Sequence, residues 1–196
     1  VNVEARQFEL VEELDDNVEL PVQVTIASGF PKGDKLEFIT QKVTELGASQ
    51  IWAFPADWSV AKWDGKKLGK KVEKLEKIAL GAAEQSKRNH VPSITLFEKK
   101  ADFLAQFDQF DRIVVAYEES AKEGESAALL QAVSNLEKGA KLLFIFGPEG
   151  GLSPAEVENF QAKGAVLAGL GPRILRAETA PLYALSAISV LLELEK

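Results

Sequence analysis

Apolar residues in this chain gather in short runs rich in β-branched and aromatic side chains, separated by stretches where apolar positions recur every three or four residues. The runs predict strands over Leu20–Ala27, Gln50–Phe54, Ser93–Phe97, Arg112–Tyr117, Lys141–Phe146 and Ala165–Leu170. Between the first two, Leu36, Ile39, Val43 and Leu46 share one face of an expected helix. Asp34 is placed as its N-cap, Glu37 completes a capping box and Gly47 is the stop. Leu68, Val72, Leu75, Ala79 and Ala82 mark a second helix. Strands that alternate with helices across short connections predict an α/β fold, a mainly parallel sheet with helices on both faces. No internal repeat or low-complexity linker interrupts it.

At 196 residues the chain has ample material for one domain and its core. It lacks cysteine, which removes disulfides and thiolate metal sites and fits a reducing, cytoplasmic setting. With His90 as the single histidine, no metal site or histidine-based triad is expected. No apolar run is long enough to span a membrane, so no membrane partner is expected. The chain begins at Val1 and holds no methionine, so the natural start is expected to lie upstream.

A formal charge of −7 argues against nucleic acid, but its distribution does not. Lys62 to Arg88 carries nine Lys/Arg against four Asp/Glu, whereas the first twenty residues hold seven acids and one arginine. The basic stretch reads either as a solvated helix face or as a phosphate-facing patch.

Two loops carry the candidate chemistry. In "FIFGPEGGLSPAEVENF" the strand breaks at Gly147, and Ser153-Pro154-Ala155-Glu156 starts a helix with a cap, a proline at its first position and a capping box. Gly147–Gly151 therefore sits at the carboxyl end of a strand, where open α/β sheets bind ligands. The turn has neither the lysine and hydroxyl of a phosphate-binding Walker loop nor the dinucleotide spacing, and Glu149 puts an anion in its middle. A tight turn with no ligand remains open at this point. In "LAGLGPRILRAETAPLYALSAISVLLE" a second glycine turn, with Gly169 and Gly171, precedes Arg173, Arg176 and Glu178. A nearly all-apolar helix, Pro181–Leu194, follows with Thr179 as its expected cap; it must be buried in the core or against another subunit.

These two stretches, with "PKGDKLEFITQKVTELGASQIWAF" and "AAEQSKRNHVPSI" before them, resemble the bacterial 16S ribosomal RNA (uracil-N3)-methyltransferase family of the SPOUT class, known as ribosomal RNA small subunit methyltransferase E. The similarity runs from Leu20 onward. It implies a C-terminal trefoil knot, a homodimer, S-adenosyl-L-methionine as methyl donor and the RNA of the small ribosomal subunit as partner. It also implies that residues 1–19 are the remnant of an N-terminal PUA-like β-barrel and residues 20–196 the methyltransferase domain. Two positions depart from the family pattern: Trp58 stands where arginine is usual, and Ala177 where threonine is common.

By the same resemblance the donor lies against Tyr117, Gly147, Pro148, Glu149, Gly150, Gly151, Leu170, Gly171, Ile174 and Leu175. A sulfonium cation without phosphate suits a backbone-lined turn that carries Glu149, and glycine permits close approach. Uridine's imide nitrogen holds a proton at neutral pH, so a base or stabilising cations are needed. Glu178 is the candidate base, with an ion pair to Arg176 as its alternative; Arg173 and Arg176 are the candidate stabilisers. Lys32, Lys62, Gln85 and Arg88 are the RNA-side candidates, Gln85 and Arg88 having a structural loop contact as the competing reading. Trp52, Trp58 and Trp63 either stack on bases or pack in the core. A ribose 2′-O methyltransferase of the same class and a non-catalytic RNA-binding module are the rival functions.

Overall fold

The computed structural model describes Glu12, residues 17–117 and residues 127–194. In chain order the elements are β1 (Gln23–Gly29), α1 (Lys35–Glu45), β2 (Gln50–Phe54), α2 (Gly65–Gln85), β3 (Ser93–Leu96), α3 (Lys100–Leu104), a 3₁₀ turn (Phe107–Gln109) and β4 (Arg112–Ala116). There follow α4 (Ala127–Ser134), β5 (Lys141–Phe146), α5 (Pro154–Ala162), β6 (Val166–Ala168) and α6 (Ala180–Ser189), which runs on into a π-helical turn (Val190–Leu194). All six strands are parallel, in the order β3-β2-β1-β5-β4-β6.

Alternation along each strand divides the core in two. Val24, Ile26, Ile51, Val114, Leu142 and Phe144 face α1, α2, α4 and α6, while Ala27, Trp52, Phe54, Val115, Leu143 and Ile145 face α3, the 3₁₀ turn and α5. Register makes this consistent: Ile26 pairs Phe144 and Ile51, and Phe144 pairs Val114, so one face is apolar across four strands. Burial on both faces is why these strands read as continuous apolar runs. The expected α/β class, with a parallel sheet and helices on both faces, is what the chain adopts.

Boundaries moved where local chemistry competes. β1 begins at Gln23 rather than Leu20; Pro21 has no amide to donate to a ladder, and Leu20 instead packs where a Cβ on Gly47 would sit. Asp34 makes no side-chain cap on α1. Glu37, expected to close that box, ion-pairs with Lys74 of α2 at 2.6 Å. Thr179 likewise accepts no capping bond on its side chain; the amides of Thr179 and Ala180 donate to the carbonyl of Arg176. At α5 the reciprocal box is complete, with Ser153 Oγ accepting from Glu156 N and Glu156 Oε2 accepting from Ser153 N.

The sheet sets the position of the site. β1 sends its following helix to one face and toward β2; its neighbour β5 sends α5 to the other face and toward β6. Such a reversal opens a crevice at the carboxyl ends of the strands. The expected barrel remnant falls almost wholly on residues outside the described ones. Whether the chain is knotted depends on threading that includes residues 118–126, which also lie outside them.

Candidate active site

A pocket of about 720 Å³ lies at the carboxyl ends of β4, β5 and β6. Its walls are the turn after β5 (Gly147–Leu152), the segment after β6 (Leu170 to Ala180), Ala116 and Tyr117 at the end of β4, and Phe146, Lys35 and Trp58. All ten residues expected to hold the donor, and Glu178's neighbours Arg173, Arg176 and Ala177, come together here.

The glycines have separable reasons. A Cβ on Gly147 would stand 2.7 Å from the carbonyl carbon and 2.9 Å from the Cα of Gly151, so the turn closes on its own backbone. A Cβ on Gly29 would meet Pro148 Cδ at 2.5 Å, so the end of β1 is pressed against the same turn. Gly151 (φ +80°) and Gly171 (φ +89°) occupy the left-handed region that side chains disfavour.

One cation joins the two loops. Lys35 Nζ lies 3.0 Å from Glu149 Oε1 and 3.0 Å from Glu178 Oε2. Glu149 Oε1 also accepts the amide of Lys32 at 3.1 Å. Glu178 Oε2 is buried and, beyond this ion pair, has no well-directed hydrogen bond among the described residues. Hydrogen bonds to Glu149 and Glu178 raise the Lys35 ammonium above the usual lysine value. Burial pushes the Glu149 carboxyl up, but its own amide, Lys35 and the Lys32 amide outweigh that and hold it below the usual glutamate value. Glu178 is lowered for similar reasons: burial is outweighed by its own amide, Lys35 and the nearby charge of Arg176. Glu178, the candidate base, is thus an ion-paired carboxylate at the edge of the pocket. Its main partner is Lys35, not Arg176.

The family model for an RNA methyltransferase domain matches residues 18–189. This chain belongs to that family. It is 56% identical over 185 residues to the ribosomal RNA small subunit methyltransferase E of Bacillus subtilis (strain 168), covering 94% of this chain and 72% of that protein. Its fold is similar to that of a methyltransferase from Legionella pneumophila solved in complex with the bound cofactor SAM (TM-score 0.79, 28% identity, 90% of this chain and 69% of that one). It is also similar to a ribosomal RNA small subunit methyltransferase E from Neisseria gonorrhoeae bound to S-adenosyl methionine (TM-score 0.70, 26% identity, 90% and 70%).

Among the RNA-side candidates, Lys32 has an exposed side chain next to Glu149, and Lys62 is exposed on the segment between Trp58 and α2. Arg88 is elsewhere. Its buried guanidinium donates to the carbonyls of Thr44 and Ala48 at 2.7 and 2.9 Å and pairs with Glu19, at the amino ends of the strands, the opposite end of the sheet from the pocket. It ties the end of α2 to the start of β2, the structural loop contact that stood beside an RNA-side role. Gln85, at the exposed end of the same helix, is equally remote.

Lys35 escaped the sequence reading. It stands at the first position of α1, and its two acidic partners lie far along the chain, so no local spacing reveals it. A usable signal was Glu149, an acid in the middle of a glycine turn with no cation near it in the sequence.

Proposed function

We propose that this chain transfers the methyl group of S-adenosyl-L-methionine to N3 of a uridine in small-subunit ribosomal RNA, acting in the cytoplasm as a homodimer. The observation that carries the reading is the pocket itself: two glycine turns at the ends of β5 and β6, the parallel strands on either side of β4, with Glu149 and Glu178 at its edge. Backbone-lined turns admit an adenosine closely, the side chains of Leu170, Ile174 and Leu175 supply apolar contact, and an acidic edge suits a sulfonium better than a phosphate. The names of the relatives support donor and RNA class.

The bound donor supplies an activated methyl group, so the protein's work is alignment and charge control. Gly147, Gly151 and Gly171 hold the loops in the shape that admits it. Lys35 keeps the two acidic side chains together across those loops. Arg173 and Arg176 are exposed beside the pocket, and their guanidinium groups make no hydrogen bond or close ion pair among the described residues. We assign them to stabilise the imidate that uridine becomes when its N3 proton leaves to solvent. Lys32, Lys62, Lys66 and Lys70 are exposed cations on the approach, suited to phosphate.

For the dimer, α6 divides its apolar residues. Ala184, Leu185 and Ile188 are buried in the chain's own core, whereas Tyr183, Val190 and Leu194 are exposed on α6 and the turn that extends it. A second copy is the proposed cover. Among the described residues, no helix is long and apolar enough to cross a membrane, and no group of three or more His, Cys, Asp or Glu is placed to hold a metal.

The test is transfer of label from methyl-labelled S-adenosylmethionine to unmodified small-subunit RNA, with large-subunit RNA beside it. Label is expected in the small-subunit RNA and absent from the other. No transfer to either, with donor binding intact, would overturn the reading.

A further inference from the structure

Three tryptophans have three different fates. Trp52 is buried, with Phe97, Phe103 and Phe110 against its edges and faces. Trp63 packs on Phe30 and carries Lys71 over its ring. Trp58 is 49% exposed, lines the pocket, and has no ring or cation packed on its indole among the described residues. Its side chain lies along the glycine turn: a Cβ on Gly150 would be 3.0 Å from Trp58 Cβ, and one on Gly151 would be 3.9 Å from Trp58 Cζ3.

The residue before it is held with unusual thoroughness. Asp57 Oδ1 pairs with Lys100 Nζ at 2.5 Å, Asp57 Oδ2 accepts Ser153 Oγ at 2.5 Å, and the Asp57 amide donates to Glu156 Oε1 at 2.9 Å. Lys100 Nζ also pairs with Glu156 Oε1 at 2.5 Å, and Glu156 is 2% exposed. Hydrogen bonds from Lys100 and Ser153 hold Asp57 below the usual aspartate value. Each member of this cluster is satisfied, so a surface loop is fastened to the helix start that follows the glycine turn. Fully satisfied polar networks fix one geometry. What they fix here is the backbone that carries Trp58.

We propose that Trp58 is the platform on which the acceptor nucleobase stacks, and that Asp57, Lys100 and Glu156 are the positioning residues that hold it at the pocket mouth. The inference rests on the reading of the chain as an RNA methyltransferase and adds the residue that seats the base. A single-stranded base recognised by a protein needs an aromatic or planar surface. The acceptor is favoured over the donor's adenine because the Trp58 segment leads through Lys62 into the exposed lysines of α2, the path along which a polyanion would reach the pocket. Stacking contributes to base binding, and its removal is expected to weaken RNA between about fivefold and about 150-fold.

The experiment compares the full chain with Trp58→Ala, Trp58→Phe, Lys100→Met and Lys100→Arg. Methyl transfer to small-subunit RNA gives KM and kcat, calorimetry gives affinity for S-adenosylhomocysteine, and quenching of tryptophan fluorescence by oligouridylate gives stacking directly. Trp58→Ala should raise KM for RNA about tenfold or more with donor affinity kept within about twofold, Trp58→Phe should restore most of it, and the quench should vanish in both. Lys100→Met should reproduce the KM effect with the indole present and Lys100→Arg should rescue it. Weakened donor affinity with unchanged KM would assign the indole to adenine and overturn the proposal. Unchanged KM, donor affinity and quench in Trp58→Ala would make it a rim residue and overturn it equally. If the wild-type chain transfers no methyl group, the methylation reading fails on its own; the fluorescence arm, run with S-adenosylhomocysteine present, still decides the stacking.

Discussion

Replacing Lys35 by methionine removes the one cation that, among the described residues, joins the two glycine loops. Its two carboxylate partners are each 3.0 Å away, and side-chain exposures of 28% for Lys35, 26% for Glu149 and 19% for Glu178 place the pairs between surface and interior. Exposed pairs are worth about 0–1 kcal/mol, and breaking a buried one costs about 3–5 kcal/mol, so about 1 kcal/mol each is a discounted value. The variant also leaves two carboxylates whose oxygens, sharing one ammonium, lie within about 6 Å of each other. Their repulsion is about 0.7 kcal/mol in a water-like dielectric and about 3 kcal/mol in a protein-like one. Together these terms should disorder the pocket edge by about 2 kcal/mol or more, which is about thirtyfold in affinity for S-adenosylhomocysteine. S-adenosylmethionine should lose about threefold less, because its sulfonium is attracted to the carboxylates that the lysine no longer neutralises. Calorimetry with both ligands on both proteins measures the two numbers. Equal affinities in wild type and variant, with no change in the ratio between ligands, would refute the bridge as an organiser of the pocket.

The pH dependence follows from the same three groups. Glu149 and Glu178 are depressed below 4.5 and Lys35 raised above 10.5, so the bridge is fully present between those ordinary values; it is lost as pH falls through the depressed carboxyls or rises through the raised ammonium. Binding of S-adenosylhomocysteine should therefore be flat from about pH 5.5 to 9, and a midpoint inside that range in a pH titration would contradict it. Gly147→Ala puts a methyl group 2.7 Å from backbone that cannot swing aside; about 1–3 kcal/mol of strain should appear in urea melts, together with tenfold or greater loss of donor affinity. Arg88→Met strands two carbonyls and the Glu19 carboxylate, which should cost about 3 kcal/mol of stability while the folded fraction keeps its KM for RNA. A changed KM at unchanged stability would return Arg88 to the RNA side.

What the sequence disclosed was local. The run Leu142–Phe146 reads as a strand buried on both faces because it is one, and Ser153, Pro154 and Glu156 lie within one helical turn, so their cap is written in consecutive residues. The glycine turns were legible for the same reason, although the room that Gly147 leaves is taken by the backbone of Gly151. Partners chosen across the fold were hidden. Glu37 was expected to serve its own helix and serves Lys74 instead; Asp57 and Lys100 meet at Glu156 only after three separate segments converge. Arg88 was hidden in the same way: Lys87 turns the chain out of α2 at φ +59°, and the guanidinium then meets Thr44, Ala48 and Glu19, partners far along the chain.

The central claim is the atom that receives the methyl group. Small-subunit RNA incubated with the protein and isotopically labelled S-adenosylmethionine, digested to nucleosides and resolved by mass spectrometry against synthetic standards, identifies it directly. The account predicts label in 3-methyluridine, where the added mass stays with the base on fragmentation. Label that stays with the ribose, as in 2′-O-methyluridine, would contradict it.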